Sequence, residues 1–113
     1  MKQTTSTILM IEPTNFGYNP DAAETNAFQQ QLSNFTPGQV QDMALLEFRN
    51  AVEELRKLGV EVITFRDLEN SVTPDSIFPN NWFTTHQEGK LITYPMAPAS
   101  RRGERREDII RHI

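Results

Sequence analysis

The 113-residue sequence contains no cysteine and has little excess charge of either sign. Without cysteine, these residues cannot supply a disulfide, a thiolate zinc site or a cysteine nucleophile. The net charge of −4 argues against a nucleic-acid partner, because phosphate binding requires clustered cations. No apolar run reaches the roughly 20 residues of a membrane span, and the first apolar run is too short for a signal peptide. The sequence therefore predicts a cytoplasmic protein with no nucleic-acid or membrane partner.

The histidines give no sign of a metal site. His86 and His112 lie on different predicted elements, and neither is surrounded by other potential ligands at the spacing of a metal cluster. A polar hairpin position is the simpler interpretation of His86, although a general base remains an alternative. The sequence predicts neither a metal nor a cofactor.

The N-terminal half has the pattern of a β-α-β unit. The apolar run at residues 7–11 predicts a buried central strand, covered on both faces. Apolar side chains at i, i+3 and i+4 intervals predict an amphipathic helix over residues 39–58, and Gly59 suits the left-handed position at its end. The β-branched run at residues 60–65 then predicts a second strand, parallel to the first.

A long polar connection at residues 13–38 joins the first strand to the helix. Connections of this length in a compact domain are usually functional or disordered. This one contains several aromatic side chains, including Phe16 and Phe28, which are rare in disordered linkers. The composition therefore favours an ordered, functional segment.

The C-terminal half predicts short extended segments and one helix. Residues 77–78 and 82–85 have the pattern of extended chain, and residues 87–90 predict the turn of a hairpin whose second strand covers residues 91–94. Ser100 is a candidate N-cap for a helix that starts at Arg101. That helix would carry an exposed apolar side formed by its isoleucines, Ile109, Ile110 and Ile113.

A group of polar side chains suits a small amino-acid substrate. Asp75 can accept paired hydrogen bonds from a guanidinium-like group, and the amides of Asn80 and Asn81 each offer donors and an acceptor. Arg101 stands at a predicted helix start, where the helix dipole disfavours a cation, and its guanidinium could hold a carboxylate bidentately. The simpler alternatives are a Pro-Asn-Asn turn and, for the arginines, a solvated helix of mixed charge.

Two segments resemble the guanidino-group-modifying superfamily of arginine deiminases, amidinotransferases and dimethylarginine dimethylaminohydrolases. Asp75-x-x-Phe78-x-Asn80-Asn81 resembles a dimethylaminohydrolase segment with Asp, Phe and then Glu-Asp at the same spacings. Pro98-x-Ser100-Arg101-Arg102-Gly103-Glu104 resembles that family's proline-x-serine-arginine-arginine segment, at nearly the same separation. The resemblance implies an α/β fold built of ββαβ units, the N-terminal modules of a five-bladed pseudo-symmetric α/β propeller (pentein). Residues 1–113 would form a single domain, the N-terminal fragment of a larger amidinotransferase-like domain.

The resemblance also implies roles for residues that would bind the substrate: Asp75, Asn80, Asn81, Arg101, Phe16 and Phe28. Asp75 and Asn81 would contact the reacting planar group, with Asn80 beside them, and Arg101 would bind the substrate carboxylate. The long connection would supply a wall or lid. In the family a cysteine attacks the substrate and a histidine acts as acid and base. Neither maps onto this sequence, so no catalytic residue is expected within it.

Asn80 and Asn81 depart from the family, because many relatives carry carboxylates there. A carboxylate complements a cationic guanidinium, whereas a neutral amide better complements a ureido group, which has an acceptor oxygen as well as N–H donors. The sequence therefore predicts a ureido substrate such as citrulline and resembles the citrulline-hydrolysing branch. The main alternative is a stand-alone α/β ligand-binding or regulatory module without catalysis. Pairing of an open edge strand between copies would make it a homo-oligomer.

Overall fold

The computed structural model describes residues 4–14, 16–17, 34–68 and 73–113. The elements follow in the order β1 (Thr7–Glu12), α1 (Pro37–Lys57), β2 (Glu61–Arg66), a first 3₁₀ helix (Pro79–Asn81), β3 (Phe83–Thr85), β4 (Leu91–Thr93), a second 3₁₀ helix (Ala99–Glu104) and α2 (Glu107–His112). The predicted α/β class is confirmed. In this part of the chain no helix combines the length and the apolar character needed to cross a membrane.

Strands β1 and β2 form a parallel pair, as predicted. Their register runs from Thr7 opposite Glu61 to Glu12 opposite Arg66. Within the described residues, β2 is the only strand paired with β1. Ile11 is the only buried residue of β1. The expectation of a central strand covered on both faces is therefore wrong for this part of the chain.

Helix α1 begins two residues earlier than its apolar pattern predicts, because a capping box forms at its start. The Thr36 hydroxyl accepts a hydrogen bond from the Gln39 N–H at 3.1 Å, and the Gln39 side-chain oxygen accepts one from the Thr36 N–H at 2.9 Å. Pro37 occupies the first turn, where no intrahelical donor is needed. At the other end Gly59 has a φ of 85°, which confirms the predicted left-handed position after the helix.

The predicted hairpin is also confirmed. Strands β3 and β4 are antiparallel, and Gly89 in the turn between them has a φ of 80°. Extended chain at residues 77–78 is a wrong prediction, since the Phe78 N–H donates to the Asp75 carbonyl at 3.1 Å and closes a tight turn. The first 3₁₀ helix follows at once.

The C-terminal helix is broken into two pieces, contrary to the prediction of one continuous helix from Arg101. The second 3₁₀ helix is preceded by Pro98, and α2 starts after an extended Arg106. The break turns Ile109 inward, where it is 1% exposed. Ile109 joins the buried core with Ile11, Trp82, Phe83 and Met96, so the predicted exposed isoleucine side is wrong for this residue.

Candidate functional site

Successive tight turns fold the segment from Thr73 to Trp82 back on itself. The Ser76 N–H donates to the Thr73 carbonyl, and the Asn81 N–H donates to the Phe78 carbonyl. Asp75 and Ser76 are buried, whereas Asn81 stays exposed at the end of the first 3₁₀ helix. The Pro-Asn-Asn turn, which the sequence offered as the simpler alternative, is present. It places a buried carboxylate, at Asp75, six positions before an exposed amide, at Asn81.

Arg101 lies at the centre of the site and connects the buried Asp75 with the exposed Asn81. One guanidinium nitrogen, Nη1, donates to the Asn81 side-chain oxygen at 2.9 Å, and Nη2 donates to the Asp75 backbone carbonyl at 3.1 Å. The Asp75 carboxylate stands 4.0 Å from Nε. The structure therefore brings together three of the predicted site residues through hydrogen bonds between residues 20 and 26 positions apart in the sequence.

The same guanidinium forms a bidentate ion pair with Glu104. Nε and Nη2 each donate to one of the carboxylate oxygens at 2.9 Å. An arginine presents five N–H donors along two edges, and acceptors of the protein lie on both edges of Arg101. A bidentate bond from Arg101 to a substrate carboxylate, as predicted, would require one of these acceptors to leave. That role stays a prediction.

Carboxylates outnumber cations in the buried interior of the site. Asp67, Asp75 and Glu104 are each at most 5% exposed, and Arg101 is 9% exposed. The Asp67 carboxylate is held separately: Oδ2 accepts hydrogen bonds from the hydroxyls of Thr73 and Ser76, and Oδ1 from the Leu68 N–H. These bonds attach the start of the turn segment to the end of β2. Arg101 lies close to the two other carboxylates, Asp75 and Glu104.

Burial raises the pKa of the Glu104 carboxyl above its ordinary value of 4.5. The Arg101 guanidinium opposes this shift, while the nearby Asp75 and Asp67 carboxylates add to it. The pKa is raised even though the geometry of the ion pair is favourable, because a nearly enclosed carboxylate loses most of its hydration.

This raised pKa predicts how stability depends on pH. Just above pH 4.5 folded Glu104 still holds a proton that the unfolded chain has released, so its contribution to stability is lost as the pH rises through the folded pKa. Glu104→Gln cannot titrate and is expected to gain stability relative to the natural protein over that interval. Urea unfolding at a series of pH values measures the difference. The exposed Glu88→Gln is the control, and a difference for Glu104→Gln that is flat or falls with pH would contradict the assignment.

Phe16 borders a cavity beside the site. The cavity measures about 350 Å³ and is lined mainly by apolar side chains of α1, by Phe16 and by Ile77 from the turn segment. Gln41 on α1 holds the start of the long connection there, accepting a hydrogen bond from the Phe16 N–H at 2.6 Å and donating to the Pro13 carbonyl at 2.8 Å. Phe16 is thus placed to form a wall. Phe28, the second predicted wall residue, lies outside the described residues.

A larger cavity of about 630 Å³ lies along the C-terminal half of α1, and none of the predicted site residues lines it. Its charged side chains are occupied with each other or with the backbone. Arg49 pairs with Glu12 at 2.9 Å, and Arg56 donates to the Val62 carbonyl at 3.0 Å. The cavity that contains Phe16 and Ile77 is therefore the better candidate to receive a ligand.

Three residues of the site were missed by sequence reasoning: Glu104, Asp67 and Gln41. Glu104 follows Arg101 at i+3, a spacing that places the two side chains on one face of a helix and could have revealed the pair. Asp67 directly follows β2, at the end of a strand where polar site residues commonly lie. Nothing in the sequence distinguishes Gln41 from the other glutamines of the chain.

The described part of the chain offers no set of metal ligands. Across residues 4–14, 16–17, 34–68 and 73–113, no three or more histidine or acidic side chains converge so that they could hold a metal ion. The His86 ring nitrogen instead lies 3.0 Å from the Thr84 hydroxyl, and the His112 ring packs edge-on against Phe65.

The fold and the site define an α/β protein with a guanidinium–carboxylate cluster behind an exposed amide. Over residues 12–113 the sequence matches the family model for N,N dimethylarginine dimethylhydrolase, eukaryotic. The chain belongs to this guanidino-modifying family, which confirms the predicted superfamily. A search of curated proteins and a search of solved structures each found no match.

Proposed function

We propose that these residues form the substrate-recognition part of a cysteine-dependent hydrolase or amidinotransferase. The substrate would be an arginine- or citrulline-like amino acid, attacked at its guanidino or ureido carbon by a cysteine that is not among these residues. Family membership indicates a guanidino-modifying hydrolase. The observation that carries the proposal is the bond from Arg101 to Asn81, because it joins the two segments on which the predicted substrate contacts lie.

The proposed orientation places the planar end of the substrate at Asn80 and Asn81. Both residues are exposed, so a ligand can reach their amides, whereas Asp75 is 2% exposed and would meet a ligand only at the inner end of the site. Phe16 would form a wall at the neighbouring cavity, and Phe28 would complete the wall or lid. Neutral amides on the exposed side favour a neutral ureido group over a cationic guanidinium. Their N–H groups can donate to the ureido oxygen, but they carry no negative charge to balance a guanidinium.

The larger assembly is part of the same proposal. The β1-α1-β2 unit and the β3-β4 hairpin would belong to the first modules of a five-bladed pentein propeller, and residues 1–113 to an amidinotransferase-like domain that is larger than this sequence. Such a protein would act in the cytoplasm on a free amino acid. Pairing at an open strand edge would give a homo-oligomer.

The test of the ureido proposal compares citrulline with arginine as substrates of the full-length gene product that contains this sequence. We expect kcat/KM for citrulline to exceed that for arginine by at least about tenfold, the difference that one well-placed hydrogen bond supplies. Initial rates of ammonia release measure both reactions, before the citrulline formed from arginine accumulates and is hydrolysed in turn. A clear preference for arginine would sink the ureido proposal and leave the guanidino-hydrolase assignment in place.

A stand-alone binding module is the second candidate function. It is favoured by one observation: the acceptors that hold Arg101 all come from this chain, so its half of the site is formed without help from elsewhere. Calorimetric binding of citrulline without any turnover by the full-length gene product would support this alternative, and turnover would exclude it.

A further inference from the structure

The contact between Arg101 and Asn81 fixes which end of the amide faces a ligand. A guanidinium has only donors, so the Asn81 atom that lies 2.9 Å from Arg101 Nη1 must be the acceptor, Oδ1. The amide nitrogen Nδ2 and its two N–H donors are then turned away from Arg101. Asn81 is an exposed residue, and its acceptor end is already bound to Arg101, so the donor end is the one we assign to a ligand.

Arg101 can impose this orientation because it is itself immobilised. The bidentate pair with Glu104 holds the Nε edge of the guanidinium, and the Asp75 carbonyl holds Nη2. Glu104 is 3% exposed and Arg101 9% exposed, so neither side chain has room to change its rotamer without losing several buried hydrogen bonds.

We propose that Arg101 and Glu104 are positioning residues that set the specificity of Asn81 for an acceptor oxygen. Asn81 then donates through Nδ2 to the oxygen of a ureido group, and a guanidinium meets a donor where it needs an acceptor. This inference rests on the proposed function and deepens it. It assigns the discrimination between ureido and guanidino substrates to the hydrogen bond from Arg101 to Asn81. It differs from the predicted role of Arg101, in which the guanidinium binds the substrate carboxylate directly.

The two roles of Arg101 make different predictions for ligands with and without a carboxylate. Calorimetry on the full-length gene product would use two matched pairs, citrulline with arginine and n-butylurea with n-butylguanidine. For Arg101→Lys we expect the preference for the urea member to fall about tenfold in both pairs, the worth of one hydrogen bond. Lysine keeps the positive charge beside Glu104 but lacks the planar fork that reaches Asn81 at the same time.

Arg102→Lys is the matched control, since Arg102 is the next residue and donates only to backbone carbonyls, at Met96 and Ala97. It should leave both preferences unchanged. If Arg101→Lys weakens citrulline and arginine equally and leaves the butyl pair unaffected, Arg101 binds the carboxylate and the positioning role is overturned. If the unaltered protein prefers arginine, the ureido proposal fails and the positioning role fails with it. If it binds neither member of either pair, the proposed function itself fails.

A measurement without ligand tests the amide orientation directly. In NMR spectra of the labelled protein, a coupling through the hydrogen bond from Arg101 Nη1 to the Asn81 side-chain carbonyl carbon is expected, beside the corresponding coupling to the Glu104 carboxyl. Detection of the Glu104 coupling without the Asn81 coupling would overturn the inference. This result is independent of ligand preference, so it also decides the inference if Arg101→Lys fails to fold.

Discussion

Replacing Arg101 by methionine is expected to lower the free energy of unfolding by about 3–5 kcal/mol, the usual cost of removing one partner of a buried ion pair. Arg101 is 9% exposed, and its loss would leave the Glu104 carboxylate, 3% exposed, without its bidentate donor. The Asp75 carbonyl and the Asn81 side-chain oxygen would also lose a donor. Urea unfolding followed by far-UV circular dichroism at neutral pH measures the change.

Two further variants separate the ion pair from other causes of instability. Arg105→Met removes an exposed arginine from the same region and should cost no more than about 0.5 kcal/mol. The double variant Arg101→Met/Glu104→Met removes both charges and should recover much of the loss, because an apolar pair carries no desolvation cost. A loss below about 1 kcal/mol for Arg101→Met would mean that water reaches the pair in solution.

The parts of the fold that follow from local rules were predictable from the sequence. Gly59 ends α1 and Gly89 turns the hairpin because each needs a positive φ that glycine adopts at little cost. The apolar spacing of α1 and the β-branched run of β2 likewise depend on neighbouring residues alone. Such signals lie within a few positions of the structure that they determine.

Predictions failed where a distant contact decides the conformation. The continuous helix predicted from Arg101 is interrupted before α2, and Arg106 instead donates to the Arg66 carbonyl at 2.7 Å, which attaches α2 to β2. The spacing of residues along the sequence cannot predict a hydrogen bond between Arg106 and Arg66, which are 40 positions apart. The same holds for residues 77–78, whose extended pattern gives way to a turn closed onto Asp75.

The candidate site divides in the same way. Residue type and spacing were enough to select Asp75, Asn81 and Arg101, and the structure places these three in contact. The burial of Arg101 was not predictable, because it depends on Glu104 turning inward on a 3₁₀ helix that the sequence presents as an ordinary mixed-charge helix. Its place at a predicted helix start and the motif resemblance suggested a ligand for Arg101, whereas the fold supplies acceptors from within the chain.

Asn81→Asp is expected to shift the substrate preference from citrulline towards arginine by about 100-fold, the worth of a charge-assisted hydrogen bond. The substitution changes little else. Aspartate keeps an oxygen in the position of Oδ1, so the bond from Arg101 Nη1 is retained, and only the outward Nδ2 is replaced by an oxygen. The atom facing the ligand becomes a negatively charged acceptor. It attracts a guanidinium and repels a ureido oxygen.

Asn80→Asp separates geometry from simple charge, because it adds the same carboxylate one residue earlier on the same exposed 3₁₀ helix. The ratio of kcat/KM for citrulline and arginine, measured for both variants of the full-length gene product, is the readout. If the new carboxylate attracted the guanidinium of arginine only through long-range charge, both variants would shift the ratio of kcat/KM equally. Added salt would then abolish both shifts. Because Arg101 aims only the Asn81 side chain, we expect the larger and more salt-resistant shift from Asn81→Asp. Equal shifts would show that the fixed orientation of this amide does not determine specificity.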